Sequence, residues 1–186
     1  MASSLGIYVD KNIIKYAKIT RDKEELKVDA FGIKIYTNLE QTIDQIVSET
    51  FSFKVPISIN LSEEMYDYFY MSNLLNSKDL DKAIETEFES LCYEKQNNPN
   101  AIISRYALVN DEEEKDKIKV INVSVDKAKI GKITQLLDEK KVGTITPISM
   151  SIPNIAPLGK NENTLIVNLE DVTTVTTLIG QKVYNV

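Results

Sequence analysis

Histidine and tryptophan are absent from this 186-residue chain, and cysteine occurs once, at Cys92. Without histidine there is no Ser-His or Cys-His nucleophile pair, and without a second cysteine no disulfide; the two shortages together remove the usual zinc ligand sets. Cys92 falls inside an apolar helical pattern and reads as a small core residue rather than a reactive thiol. With 6 glycines and 5 prolines, the chain lacks the composition of a low-complexity or collagen-like protein. No apolar run is long enough to span a bilayer, and the opening MASSLGIYVD has neither the charged nor the apolar region of a signal peptide, so the expected location is the cytoplasm. Cations are outnumbered, 22 Lys and Arg against 28 Asp and Glu, for a net charge of -6 and a pI near 4.9. That balance, with no basic stripe carrying interleaved aromatics, argues against nucleic acid as a partner.

What is present is ordinary for a globular protein: 42% apolar and 27% charged residues, enough chain for one domain or one domain with an insertion. Leu5 to Asp10 is apolar and β-prone, Lys11-Asn12 reads as a turn, and Ile13 to Thr20 alternates, which together predict a β-hairpin. A polar turn leads to a third strand over Leu26 to Tyr36, with Gly32 as a candidate bulge. Leu39, Ile43, Ile46 and Val47 recur at helical spacing within Leu39 to Phe51, and Asn38 stands where a helix cap belongs. Val55 to Leu61 alternates again, so the first 61 residues read βββαβ.

Further along, Met65 to Met71 reads as an aromatic strand. A helix capped by Ser77 follows, with Leu80, Ile84, Phe88, Leu91 and Cys92 on one face and Asp79, Glu85 and Glu89 on the other. Strands are predicted over Ile102 to Val109 and Ile118 to Val125, and then a helix capped by Asp126 with Ile130, Ile133, Leu136 and Leu137 turned inward. This middle region reads βαββα. Gly143 is placed as a helix C-cap and Thr144 to Ile148 as a strand, in a segment punctuated by Pro147, Pro153 and Pro157. Strands over Thr164 to Leu169 and Val172 to Ile179, a turn at Gly180-Gln181 and a short strand Lys182 to Val186 close the pattern.

The segment Gly6 to Lys15, a strand, a tight turn and a second strand carrying Ile14-Lys15, resembles the first phosphate loop of the actin-like ATPase superfamily. Leu165 to Thr174 with Val175 to Gly180 resembles the second phosphate loop, and Ser62 to Leu91, with its pattern Leu80 to Glu87, is similar to the inserted subdomain of the PilM family of type IV pilus assembly. The resemblance implies an α/β fold, an actin-like (ribonuclease H-like) first domain with an inserted βαββα subdomain and the second domain absent. It implies residues 1-61 with 143-160 as the core sheet subdomain, 62-142 as the insertion, and 161-186 as the start of the second domain.

The family's first loop has Asp where Tyr8 stands, to hold metal-bound water, and Gly where Asp10 stands, so that backbone N-H groups reach phosphate. The second loop has Asp and Gly where Asn168 and Glu170 stand. Only Lys15, Thr173 and Thr174 match as cofactor-binding positions. Lys15 also reads as a solvated strand lysine, and the threonines as ordinary β-formers. A carboxylate about 4 Å from a phosphate oxygen repels it by ~4 kcal/mol at an effective dielectric near 20, so Asp10 and Glu170 oppose nucleotide binding. The expectation is a protein without catalytic residues or metal, with ATP disfavoured as cofactor. The alternative is a working ATPase completed by a second half.

Other clusters carry less. Asp111 to Glu114 lacks calcium-loop spacing and reads as a solvated turn. Adjacent Glu63 and Glu64 diverge along a strand and form no acid-base pair. Alternation puts Tyr66, Tyr68 and Tyr70 on one strand face and Phe69 on the other, one face for core and one for a partner surface. The resemblance implies a scaffold at the inner face of the cytoplasmic membrane that binds the N-terminal tail of a PilN-like membrane protein and reaches the membrane only through partners. The expected groove is the seam between insertion and core, with Tyr68, Phe69, Leu80 and Ile84 as partner-binding residues. Open sheet edges add possible self-association.

Overall fold

The computed structural model describes residues 2-23, 25-110, 114-154, 163-169, 173-180 and 182-186. In chain order the elements are β1 (Ala2–Asp10), β2 (Ile13–Asp22), β3 (Glu25–Ile35), α1 (Leu39–Glu49), β4 (Ile57–Leu61), β5 (Met65–Ser72), α2 (Ser77–Glu94), β6 (Ile102–Asn110), β7 (Lys117–Asp126), α3 (Lys127–Leu136), β8 (Val142–Pro147), α4 (Ile148–Ser151), β9 (Asn163–Asn168), β10 (Thr174–Ile179) and β11 (Lys182–Asn185). They divide into two units, residues 1-62 with 130-148 and residues 63-129 with 149-186.

Unit 1 is built on a five-stranded mixed sheet in the order β3-β2-β1-β4-β8. The first hairpin pairs as its alternation predicts, Asp10 opposite Ile13 and Leu5 opposite Lys18, while β1-β4 and β4-β8 are parallel. Alternation turns Leu5, Ile7, Ile14, Ile57 and Ile59 to one face, where Ile43, Ile46 and Val47 of α1 and Leu137 after α3 close the core. Each such side chain contributes about 1.5–3 kcal/mol of transfer free energy on burial. Asn38 caps α1 as expected, its side chain accepting from the Gln41 amide at 3.1 Å. The helix stops at Glu49, two residues short of the predicted Phe51, because Phe51 turns left-handed at φ 50°.

Two glycines have roles other than those expected. The bulge in β3 falls at Asp29, between the pairs Lys18-Ala30 and Ile19-Val28, and the Thr20 hydroxyl donates to the Asp29 carboxylate there. Gly32 instead lies under the Tyr16 ring, where a Cβ would meet the Tyr16 hydroxyl at 2.6 Å. Gly143 is a strand residue of β8. A Cβ there would stand 3.1 Å from the Ile57 carbonyl, and the left-handed residue beyond α3 is Glu139 at φ 65°.

Unit 2 holds the antiparallel sheet β5-β7-β6 and a second antiparallel sheet, β11-β10-β9. Leu80 and Ile84 of α2 pack with Val120 of β7, and Phe69, Met71, Leu108 and Ile118 surround them. Phe88 and Cys92 complete the buried face of α2, and burial pushes the Cys92 thiol up. The N-cap of α2 is Asn76 rather than Ser77: extended at φ -69°, ψ 163°, it accepts from the Asp79 amide at 3.1 Å and donates to the Asp79 carboxylate at 2.6 Å. On the opposite face of the β5-β7-β6 sheet, β11 touches β7 and Val186 touches β5. The Tyr184 ring lies 3.6 Å from the Lys119 ammonium, and the Tyr68 hydroxyl bonds the Val186 amide and carbonyl, each at 2.9 Å.

Candidate functional site

The first hairpin turn is the structural counterpart of the expected first phosphate loop. Tyr8 and Lys15 are cross-strand partners, and the Lys15 ammonium sits 5.1 Å from the centre of the Tyr8 ring, a cation-π distance. The Val9 amide donates to Asn60 Oδ1 at 2.7 Å while Asn60 Nδ2 donates to the Val9 carbonyl at 3.0 Å, so β4 ties up both backbone groups there. Lys11 completes the turn at φ 30°. Its carbonyl accepts from the Tyr36 hydroxyl, and the Asn12 carbonyl accepts from the Tyr36 amide at 2.8 Å. Asn60 lies in the alternating segment Val55 to Leu61, and nothing in that pattern singles it out.

The second hairpin belongs to unit 2. Thr174 of β10 pairs with Asn168 of β9, and Asn168 Nδ2 and Thr174 Oγ1 are enclosed without a hydrogen bond to any described residue. Thr173 is exposed. Glu170 lies outside the described residues, as do Asp111, Glu112 and Glu113 of the acidic turn and Pro157.

The four partner-binding candidates divide between two faces of β5. Phe69 points to α2 and packs with Leu80 and Ile84 in the core of unit 2. Tyr68 points the other way, 37% exposed, with its hydroxyl on Val186. Burial raises the Tyr68 phenol, and beside it burial raises Tyr66, whose hydroxyl bonds Ser149. The alternation therefore separates the residues as predicted, and it also prevents the four from forming one surface.

A groove of about 570 Å³ runs between α2 and β6, an edge strand of its sheet. Ile84 and Phe88 line its floor and Asp81, Glu85 and Glu89 its helical rim. The Tyr106 hydroxyl donates to Asp81 at one side, a bond that raises the Tyr106 phenol, and at the other the Lys127 ammonium donates to the Asn100 carbonyl at 2.6 Å. The acidic face of α2 was legible in sequence. That it borders an edge strand follows only from the pairing of β6 with β7.

No family model matches the chain, and no characterised protein matches it in sequence. Solved structures match it in shape. It is similar to a chain of the PilM-PilN type IV pilus biogenesis complex, with a TM-score of 0.76 and 12% identity over 98% of this chain and 60% of that one. It is similar to the cytoplasmic domain of EpsL, an inner membrane component of the type II secretion system of Vibrio cholerae, with a TM-score of 0.66 and 13% identity over 96% and 69%. A Bacteroides thetaiotaomicron protein with an actin-like ATPase fold aligns at a TM-score of 0.45 and 10% identity over 98% and 68%. The fold is thus the mixed α/β one shared with the PilM-PilN chain and the EpsL cytoplasmic domain, and this chain spans 60% of the length of the PilM-PilN chain it matches.

Proposed function

We propose that this chain is a non-catalytic scaffold of a pilus or secretion assembly, and that it binds the short tail of a PilN-like membrane protein at the inner face of the cytoplasmic membrane. The observation that carries the reading is the chemistry of the first hairpin. The lysine that the resemblance aims at phosphate lies over the ring of Tyr8, and the Val9 amide is committed to Asn60. Asp10 adds a negative charge at the same turn. These residues do not fit a magnesium-bound nucleotide: Tyr8 stands where the resemblance puts the carboxylate for metal-bound water, and the Val9 amide is not free for phosphate. Likeness of fold to the PilM-PilN chain and to the EpsL cytoplasmic domain supports the choice of machinery. Among the described residues no helix is long and apolar enough to cross a membrane.

Calorimetric titration with ATP and magnesium tests the reading. No heat of binding up to millimolar nucleotide is expected, with capture of a synthetic PilN-type tail peptide at micromolar affinity. Micromolar ATP binding accompanied by turnover defeats the scaffold reading in favour of an ATPase.

A further inference from the structure

Unit 1 carries an apolar stripe that none of its own elements covers. Leu26, Val28, Phe31, Ile33 and Ile35 stand 72, 56, 79, 68 and 76% exposed along β3. The register sets them opposite Arg21, Ile19, Ala17, Lys15 and Ile13 of β2, on the sheet face away from Ile14 and Tyr16, which belong to the core under α1. The bulge at Asp29 keeps the stripe continuous: it absorbs the extra residue, so that Leu26 and Val28 stay on the same face as Phe31, Ile33 and Ile35. Every β3 residue on this face is apolar. Glu25, Lys27 and Lys34 project to the other face, and Lys34 pairs there with Glu49 at 2.9 Å.

The two margins of the sheet are built differently. β8 is six residues long, contains Gly143 and ends in Pro147, features that discourage association. β3 is eleven residues long with no proline. A charge-free row of large apolar side chains on an outer strand is an interface signature, because single exposed apolar residues are common and a contiguous row is not.

We propose that this stripe is the contact between two copies of the chain, packed face to face about a two-fold axis. The area is sufficient: the five side chains expose about 600 Å² per copy, so a symmetric contact removes roughly 1,200 Å², the lower bound of specific stable interfaces. The stripe is self-complementary, since apolar meets apolar and no donor, acceptor or charge of β3 needs a counterpart on the other copy. Each copy carries a net charge of -6, so added salt, which screens the repulsion, tightens the pair.

Sedimentation velocity on the 186-residue chain, with and without lipid vesicles, reads the association directly. A concentration-dependent dimer is expected, and Phe31→Lys and Ile33→Lys should each weaken it at least tenfold while circular dichroism stays unchanged, since both side chains are exposed. Leu74→Lys, at a residue 90% exposed in unit 2, should leave it intact. Because Cys92 is buried and is the one native thiol, Ile33→Cys should be joined into a covalent dimer by a short bismaleimide, whose reach matches the ~10 Å between facing sheets, and Leu74→Cys should not. A monomer at ~100 μM, a dimer indifferent to both lysine substitutions, or partition onto vesicles in place of dimerisation overturns the proposal.

Discussion

At the scale of single residues, local chemistry decides more here than side-chain type. Lys34 and Glu49 meet at the surface at 2.9 Å, and the hydrogen bond from the lysine holds the Glu49 carboxyl below its usual value near 4.5. A carboxyl depressed in the folded state stabilises the fold above the ordinary carboxylate range. That contribution disappears as pH falls through the depressed value, because the unfolded chain takes up the proton first. The pair is exposed to solvent, so the effect on stability is small. Carboxylate NMR titration should place Glu49 below 4.5 in the native chain and return it toward that value in Lys34→Met. An unchanged midpoint in the variant would remove the ion pair from the account.

At the scale of elements, helix ends and strand faces set what each segment can do. The start of α2 offers two capping residues in succession, Asn76 and Ser77, and the extended backbone of Asn76 selects it. Removing the cap leaves a first-turn amide without its partner, at a cost of about 1 kcal/mol, whereas a serine inside the first turn contributes a few tenths. Urea denaturation should therefore show Asn76→Ala destabilising by ~1 kcal/mol and Ser77→Ala close to neutral. The reverse order would put the cap one residue later. The same reasoning separates the two aromatic neighbours in β5. Phe69 is a packing residue under α2, and Tyr68 is a hydroxyl on the chain segment that crosses the other face.

At the scale of the whole molecule, the two units have separate cores: Ile46 belongs to a cluster with Leu5, Ile14 and Ile59, and Ile84 to one with Leu80 and Val120. Truncating either to alanine removes packing worth about 2–5 kcal/mol. Opening free energies follow cooperative units, so the loss should appear first where the contacts were. Amide exchange is expected to accelerate through α2, β5 and β7 in Ile84→Ala and through α1, β1 and β4 in Ile46→Ala, each leaving the other set near native rates. Uniform acceleration by either variant would mean that the units open as one.

By itself the sequence determined the features that rest on neighbours within a few residues. Alternation in Leu5 to Thr20 produced the first hairpin, 3.6-residue spacing produced the buried faces of α1 and α2, and Asn38 announced its cap, since each signal and its consequence lie within one or two turns of chain. Both hairpins that implied an actin-like fold were legible for that reason. Tertiary structure alone decided what depends on residues far apart. The bulge falls at Asp29, while Gly32 makes room for the Tyr16 ring and Gly143 for the Ile57 carbonyl of the neighbouring strand. Leu137 joined the core of unit 1 although the pattern grouped it with the insertion. The bond from the Val9 amide to Asn60, the groove between α2 and β6, and the bare face of β3 were likewise invisible to periodicity. A side chain's pattern fixes which face it takes on its own element, but what stands opposite that face is set by chain brought in from tens of residues away.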